Sequence, residues 1–217
     1  MRAIWSFVKE IVIVLTIALI LSSIVRAFFF QAFYVPSASM EDTLQLQDRI
    51  IASKISKTYS PVDRGDVIVF RDPGGWLPDS QGSSNPVVRA LIFVGLLPSD
   101  EGKDLVKRVI AKGGDEVICC DDDGRIIVNG VPLEEDYLKS GVSTDQVEFE
   151  ITVPEGRFFM LGDNRPNSRD SRYHLQTAYG TIPESHVVGK VNYRIWPFDR
   201  FAKLNTPEIF SQIPDNN

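Results

Sequence analysis

Ile11-Val12-Ile13-Val14-Leu15-Thr16-Ile17-Ala18-Leu19-Ile20-Leu21-Ser22-Ser23-Ile24-Val25 is a run of fifteen apolar or small residues without a charge. The run continues back through Val8 and Ile4 and forward through Phe33. Crossing a hydrocarbon core takes about 20 helical residues, so the flanks are needed to complete a span. Arg26 stands near the outer end, where a long cationic side chain snorkels, and Trp5 and Phe28–Phe30 suit the two interfaces. The competing reading is a cleaved secretory leader, since the stretch is at the upper length for one. Cleavage would cut the rest of the chain off its anchor, which favours an uncleaved anchor over residues 1–30. Arg2 and Lys9 mark the N-terminal side as cytoplasmic, with Arg26 opposing.

Beyond residue 30 the periodicity becomes that of short strands. Ile50-Ile51 and Val67-Ile68-Val69-Phe70 are β runs, the second entered by the turn Arg64-Gly65-Asp66. Leu105–Ile110 is a third. Glu116-Val117-Ile118 and Arg125-Ile126-Ile127-Val128 flank Asp123-Gly124, a hairpin signal, and Asn129-Gly130 adds a turn. Val147–Val153 alternates, Arg157–Leu161 follows Pro154-Glu155-Gly156, and Val187–Trp196 reads as the final strand. Residues 71–104 are loop-like, with Gly74-Gly75 and Gly82-Ser83-Ser84. Within them Ala90–Leu97 is either a buried strand or a surface dipping into lipid. The expectation is a mainly β protein: an antiparallel catalytic body over residues 31–200 on one N-terminal transmembrane helix. Residues 114–156 form a smaller inserted β-hairpin region, and 201–217 a loose polar tail.

Composition narrows the function. The 217 residues are 43% hydrophobic, enough for one compact domain with appendages. A net charge of −6 and a pI near 5.0 leave no basic stripe for nucleic acid. Two histidines and no spaced Cys/His cluster imply no metal and no cofactor. Cys119 and Cys120 are adjacent, a spacing at which normal disulfide geometry is hard to reach; two small apolar side chains at a strand end are expected.

Pro36-Ser37-Ala38-Ser39-Met40-Glu41-Asp42-Thr43-Leu44 lies where the chain leaves the membrane. A serine hydroxyl becomes a nucleophile when a neighbouring base takes its proton. His174 and His186 are one source of base, with Asp163 or Asp170 to orient them, but no Gly-x-Ser-x-Gly elbow surrounds any serine. The other source is a lysine held neutral by desolvation. Alternation puts Lys107 on one strand face with Leu105 and Val109, and Val106, Arg108 and Ile110 on the other. A lysine sharing an apolar face is what desolvation requires. Ser6-x-x-Lys9, on the cytoplasmic flank, is read as coincidence. Gly162-Asp163-Asn164-Arg165-Pro166-Asn167-Ser168-Arg169-Asp170-Ser171-Arg172 is dense in polar groups.

These stretches together resemble the type I signal peptidase family, membrane-bound serine proteases with a Ser/Lys dyad, from about Phe33 to Pro197. The resemblance implies Ser39 as nucleophile, Lys107 as general base, and Ser37 as a hydroxyl holding the oxyanion. It also implies that Ser168 orients the lysine amine, that Asp170 and Arg172 form a site-shaping ion pair, that Asp163 pairs with Arg108, and that Gly162 permits a close backbone approach. Phe33 and Val35 match residues lining apolar substrate pockets. The implied substrates are signal-peptide-bearing precursors with small residues at −1 and −3, cut beside membrane lipid on the periplasmic or lumenal side. Asp42 stands where the family usually has proline, and Ala111-Lys112-Gly113-Gly114-Asp115 replaces the usual Gly-x-Pro-Gly-Asp. The second variant is similar to cyanobacterial and thylakoid members. Two other readings are a Ser/Lys self-cleaving regulator, which would usually carry a DNA-binding domain, and a non-enzymatic β module tethered to a membrane.

Overall fold

The computed structural model describes residues 2–54, 61–77, 84–93, 103–139 and 141–216. Helix α1 spans Arg2–Phe28, and its segment Trp5–Val25 has a mean hydropathy of 2.4 with none of its residues buried. This segment, with charges at Lys9 and Glu10, is long and apolar enough to cross a membrane. The side chains of Arg26 and Phe28, expected at the interface, lie outside the described residues. The apolar run read as reaching Phe33 divides in two: the helix ends and strand β1 (Phe30–Tyr34) begins at once. β1 is anchored by register, Phe33 opposite Ile50 of β2 (Arg49–Ser53).

The body is an eight-stranded antiparallel sheet. Its path runs β1, β2, β11 (Val187–Trp196), β3 (Val67–Arg71), β4 (Asp104–Lys112), β9 (Arg157–Leu161) and β10 (Ile182–Pro183). Strand β12 (Ala202–Lys203) pairs with β11, so β11 is not the last strand. β3 is buried on both faces, which explains its unbroken apolar run. Val67 and Val69 face a cluster with Phe33, Met40, Leu44 and Ile50. Ile68 and Phe70 face another with Trp76, Val109, Phe158 and Met160. A second, four-stranded sheet orders β7 (Val131–Pro132), β6 (Ile126–Val128), β5 (Glu116–Cys119) and β8 (Phe149–Thr152). Its apolar face meets the ends of β4 and β9 through Ile110, Phe159 and Leu161.

Three expectations are corrected. Ala90–Leu97 does not start as a strand: helix α2 spans Pro86–Phe93, and residues 94–97 lie outside the described residues. Pro86 sits at the first helical position and the Asn85 side chain accepts the Val87 N–H at 2.9 Å, a helix start written in Asn-Pro. Cys119 and Cys120 form a vicinal disulfide. The peptide between them is cis.

The third correction concerns the tail, which is not loose. Phe210 and Ile213 are buried in the cluster under the small sheet. The Arg64 guanidinium, paired with Asp115 at 2.6 Å, also donates to the Ile213 carbonyl at 3.4 Å and meets Asp215 at 3.0 Å. Gly65 adopts φ +82° in the turn before β3, and a side chain there would strike Phe210 and Thr206. Polar composition concealed two apolar anchors at a spacing too sparse to register as an element. Phe210→Ala is expected to destabilise the protein by about 3–5 kcal/mol, measured by denaturation in detergent micelles.

Candidate active site

The segment between β1 and β2 is a closed loop, tied at its base by Val35 N–H to Asp48 O (2.9 Å) and Gln47 N–H to Val35 O (3.0 Å). Met40 and Leu44 are buried on one side of it, and Leu44 N–H donates to Met40 O at 2.7 Å. This single turn, pinned by two apolar anchors, fixes Ser39. Asp42, exposed, takes φ +72°, a conformation short polar side chains tolerate. Proline, with φ held near −65°, would not fit, so the departure at Asp42 belongs to this turn's shape.

Lys107 lies in the middle of β4, directly opposite Ile68 of β3, whose apolar cluster includes Leu105 and Val109. The predicted face is therefore the observed one. Lys107 is 3% exposed, and its Nζ lies 2.5 Å from Ser39 Oγ, itself 7% exposed. Burial pushes the Lys107 amine down to about 8 from its ordinary 10.5. The Asp170 and Asp163 carboxylates partly oppose that fall, and Arg172 adds to it. Ser37 Oγ is 3.3 Å from Ser39 Oγ.

The polar segment 162–172 packs across the back of this pair. Asn164 N–H donates to Ser39 O at 3.0 Å, and its Nδ2 donates to Ala38 O and Glu41 Oε2, both at 3.0 Å. Arg108 grips Asp163 through Nε (2.9 Å) and Nη2 (2.6 Å) and donates to Gly65 O at 2.7 Å. Thr43 Oγ1 donates to Asp163 at 2.5 Å. Arg172 grips Asp170 through Nε and Nη2, both at 2.9 Å, and Asp170 accepts the Gly162 N–H at 3.0 Å. Gly162 has no room for a side chain: a Cβ there would lie 2.2 Å from Ser168 Oγ and 2.4 Å from Ser39 O. Ser168 is buried beside Gly162, and its hydroxyl has no hydrogen-bond partner among the described residues.

Phe33 and Val35 are 5% and 2% exposed, packed with Met40 and Leu44 below the loop. The histidines are occupied elsewhere. His174 stacks on Trp76 at 4.4 Å, and His186 Nδ1 lies 3.3 Å from the Arg71 carbonyl oxygen. Asp163 and Asp170, which could have oriented a histidine, are committed to arginines. Sequence reasoning missed Thr43, Asn164 and Arg165 as supports. Asn164 and Arg165 stood in a motif already singled out, but only their contacts give them work.

Gly162→Ala is expected to fold poorly or displace Ser39, lowering turnover by about a hundredfold in a peptide-cleavage assay. Lys107→Met tests the desolvation. The unfolded chain binds the lysine proton up to about pH 10.5 and the native chain only up to about 8, so stability rises with pH across that window. The cost of burying Lys107 is fully present below about 8. Lys107→Met should therefore be inactive yet more stable at neutral pH, its advantage shrinking from pH 8 towards 10.5.

A family profile described as "Signal peptidase, peptidase S26" matches residues 5–196. "Probable signal peptidase I" of Mycobacterium leprae is 39% identical over 94% of this chain and 80% of its own length. "Probable signal peptidase I-1" of a Synechocystis strain is 32% identical over 97% of this chain and 92% of its own. A crystal structure of a signal peptidase I from Enterococcus faecalis V583 is 31% identical, with a TM-score of 0.40 over 59% of this chain and 95% of that one. A profile match across most of the chain, with relatives matched over 80% and 92% of their own lengths, places it: the chain belongs to the signal peptidase family, peptidase S26.

Proposed function

We propose that this chain is a membrane-anchored serine endopeptidase that removes signal peptides from exported precursors, with Ser39 as nucleophile and Lys107 as general base. The observation that carries the assignment is the 2.5 Å approach of a buried amine to a serine hydroxyl. A neutral Nζ has one lone pair to accept the Ser39 O–H, and burial, by lowering the amine to about 8, enlarges the neutral fraction at moderate pH.

The scissile carbonyl carbon is attacked by Ser39 Oγ as its proton passes to Lys107. The developing oxyanion is met by the Ser37 hydroxyl together with the Ser39 N–H. The ammonium then returns its proton to the leaving amine, and an acyl-enzyme remains on Ser39. That amine is the N-terminus of the mature protein, which leaves at this step; a water deprotonated by the Lys107 amine then hydrolyses the ester and releases the signal peptide. The resemblance gives Ser168 the task of orienting the lysine amine, and its hydroxyl, buried beside Gly162, has no hydrogen-bond partner among the described residues. Phe33 and Val35 back the loop against which small −1 and −3 side chains would lie.

The anchor sets the location. Arg2 and Lys9 favour an N-terminus in the cytoplasm, so the catalytic body lies on the periplasmic or lumenal side, next to the membrane from which precursors emerge. The test is cleavage of a labelled precursor by the detergent-solubilised protein. Ser39→Ala and Lys107→Ala should each be inactive yet folded. Activity of the unmodified protein should rise with pH through about 8, as the Lys107 amine loses its proton. Flat activity well below neutrality, or an active Lys107→Ala variant, overturns the base assignment.

A further inference from the structure

Lys107 lies on a strand of the large sheet and Ser39 on the loop between two of its strands, yet two side chains reach under the site from the small sheet's side. Glu135 and Tyr137 follow β7, just beyond Leu133, which is buried in the small sheet's cluster. Arg165, with no exposed side-chain surface, forks onto Glu135 through Nη1 (2.7 Å) and Nη2 (2.5 Å). Arg108 lies with its Cζ 4.1 Å from the centre of the Tyr137 ring. The Tyr137 hydroxyl in turn hydrogen-bonds Glu135.

The far sides of both arginines hold the catalytic apparatus. Arg165 Nε donates to Gly162 O at 3.0 Å, and the Arg165 carbonyl accepts Arg172 Nη2 at 2.7 Å. Gly162 is the residue against which Ser39 O and Ser168 Oγ rest. Arg108 adjoins Lys107 in β4 and grips Asp163. Under the dyad there are thus three buried ion pairs: Arg108–Asp163, Arg172–Asp170 and Arg165–Glu135. Two are drawn from β4 and the 162–172 segment. The third needs a carboxylate from the small sheet, and without it a guanidinium would be left unpaired in the protein interior.

We infer that Glu135 and Tyr137 are positioning residues for the proteolytic reaction: through Arg165 and Arg108 they hold Gly162 and β4 closed around Lys107, so the small sheet forms part of the catalytic machinery. The inference rests on the Ser39–Lys107 reading. Groups facing the Lys107 amine are the Ser39 hydroxyl, the Asp163 and Asp170 carboxylates and the Arg172 guanidinium. Loosening the base beneath them admits water to the amine and widens its gap to Ser39. Both effects would fall on turnover, because Glu135 and Tyr137 act through Arg165 and Arg108 rather than on Ser39 or Lys107 directly.

The test uses the full chain in detergent and a fluorogenic signal-peptide substrate, with Glu135→Gln, Tyr137→Leu and, as a destabilising control in the same sheet, Leu133→Ala. Glu135→Gln and Tyr137→Leu should each lower kcat by about tenfold or more with KM within about twofold. The acid limb of the pH profile should move to higher pH, towards that of a solvated lysine. Leu133→Ala, matched for loss of Tm, should leave the limb in place. Wild-type kcat and pH profile in both variants, or changes no larger than those of Leu133→Ala, overturn the inference. If Glu135→Gln does not fold, Tyr137→Leu decides alone. An active Lys107→Ala variant would instead sink the dyad, and this inference with it, whatever the Glu135 result.

Discussion

The rest of the structure depends on keeping the Lys107 amine out of water within reach of Ser39. An ammonium in that position would have no lone pair to offer, so chemistry at moderate pH requires the desolvated, neutral form. The fold secures it by placing Lys107 on β4, inside the sheet between β3 and β9, opposite Ile68. Edge strands would have let water in. The same burial that makes the amine a base penalises the native state, so reactivity and stability pull against each other at this residue.

Charges around the lysine are arranged so as not to undo that desolvation. A lone carboxylate beside it would restore the ammonium. Asp163 and Asp170 are instead each engaged bidentately by an arginine, which divides their attraction between two cations. These pairs are also geometric devices. Planar guanidinium forks fix direction as well as distance, and through Asp170, Gly162 and Asn164 they carry that direction to the backbone of Ser39. The nucleophile's loop is thereby held from below by apolar anchors at Met40 and Leu44, and from behind by hydrogen bonds.

The two sheets are coupled more closely than a body with an appended hairpin region would be. Their shared cluster includes Phe210 and Ile213 from the chain's last residues, so the C-terminal segment closes the structure. It also supports the Arg64-Gly65-Asp66 turn, whose Gly65 carbonyl receives Arg108. An ion pair at the far end of the protein and the polar network at the dyad thus share one rigid turn.

Much of this was legible in the sequence because it is local. The uncharged run before Arg26 specifies a lipid-facing helix, alternation assigns Lys107 to the face of Leu105 and Val109, and Asp123-Gly124 marks a hairpin. The order of Ser39, Lys107 and the 162–172 motif carries the resemblance to the family, from which the proposed chemistry follows. Tertiary structure alone decided the long-range matters. It packed the sparse apolar residues of the tail, ended α1 before β1, joined Cys119 to Cys120, and brought Glu135 and Tyr137 under a site 30 residues away in sequence. Neither period nor spacing encodes those contacts: a buried charge finds its partner by which surfaces the fold presses together, and that is a property of the packed sheets rather than of any stretch of chain.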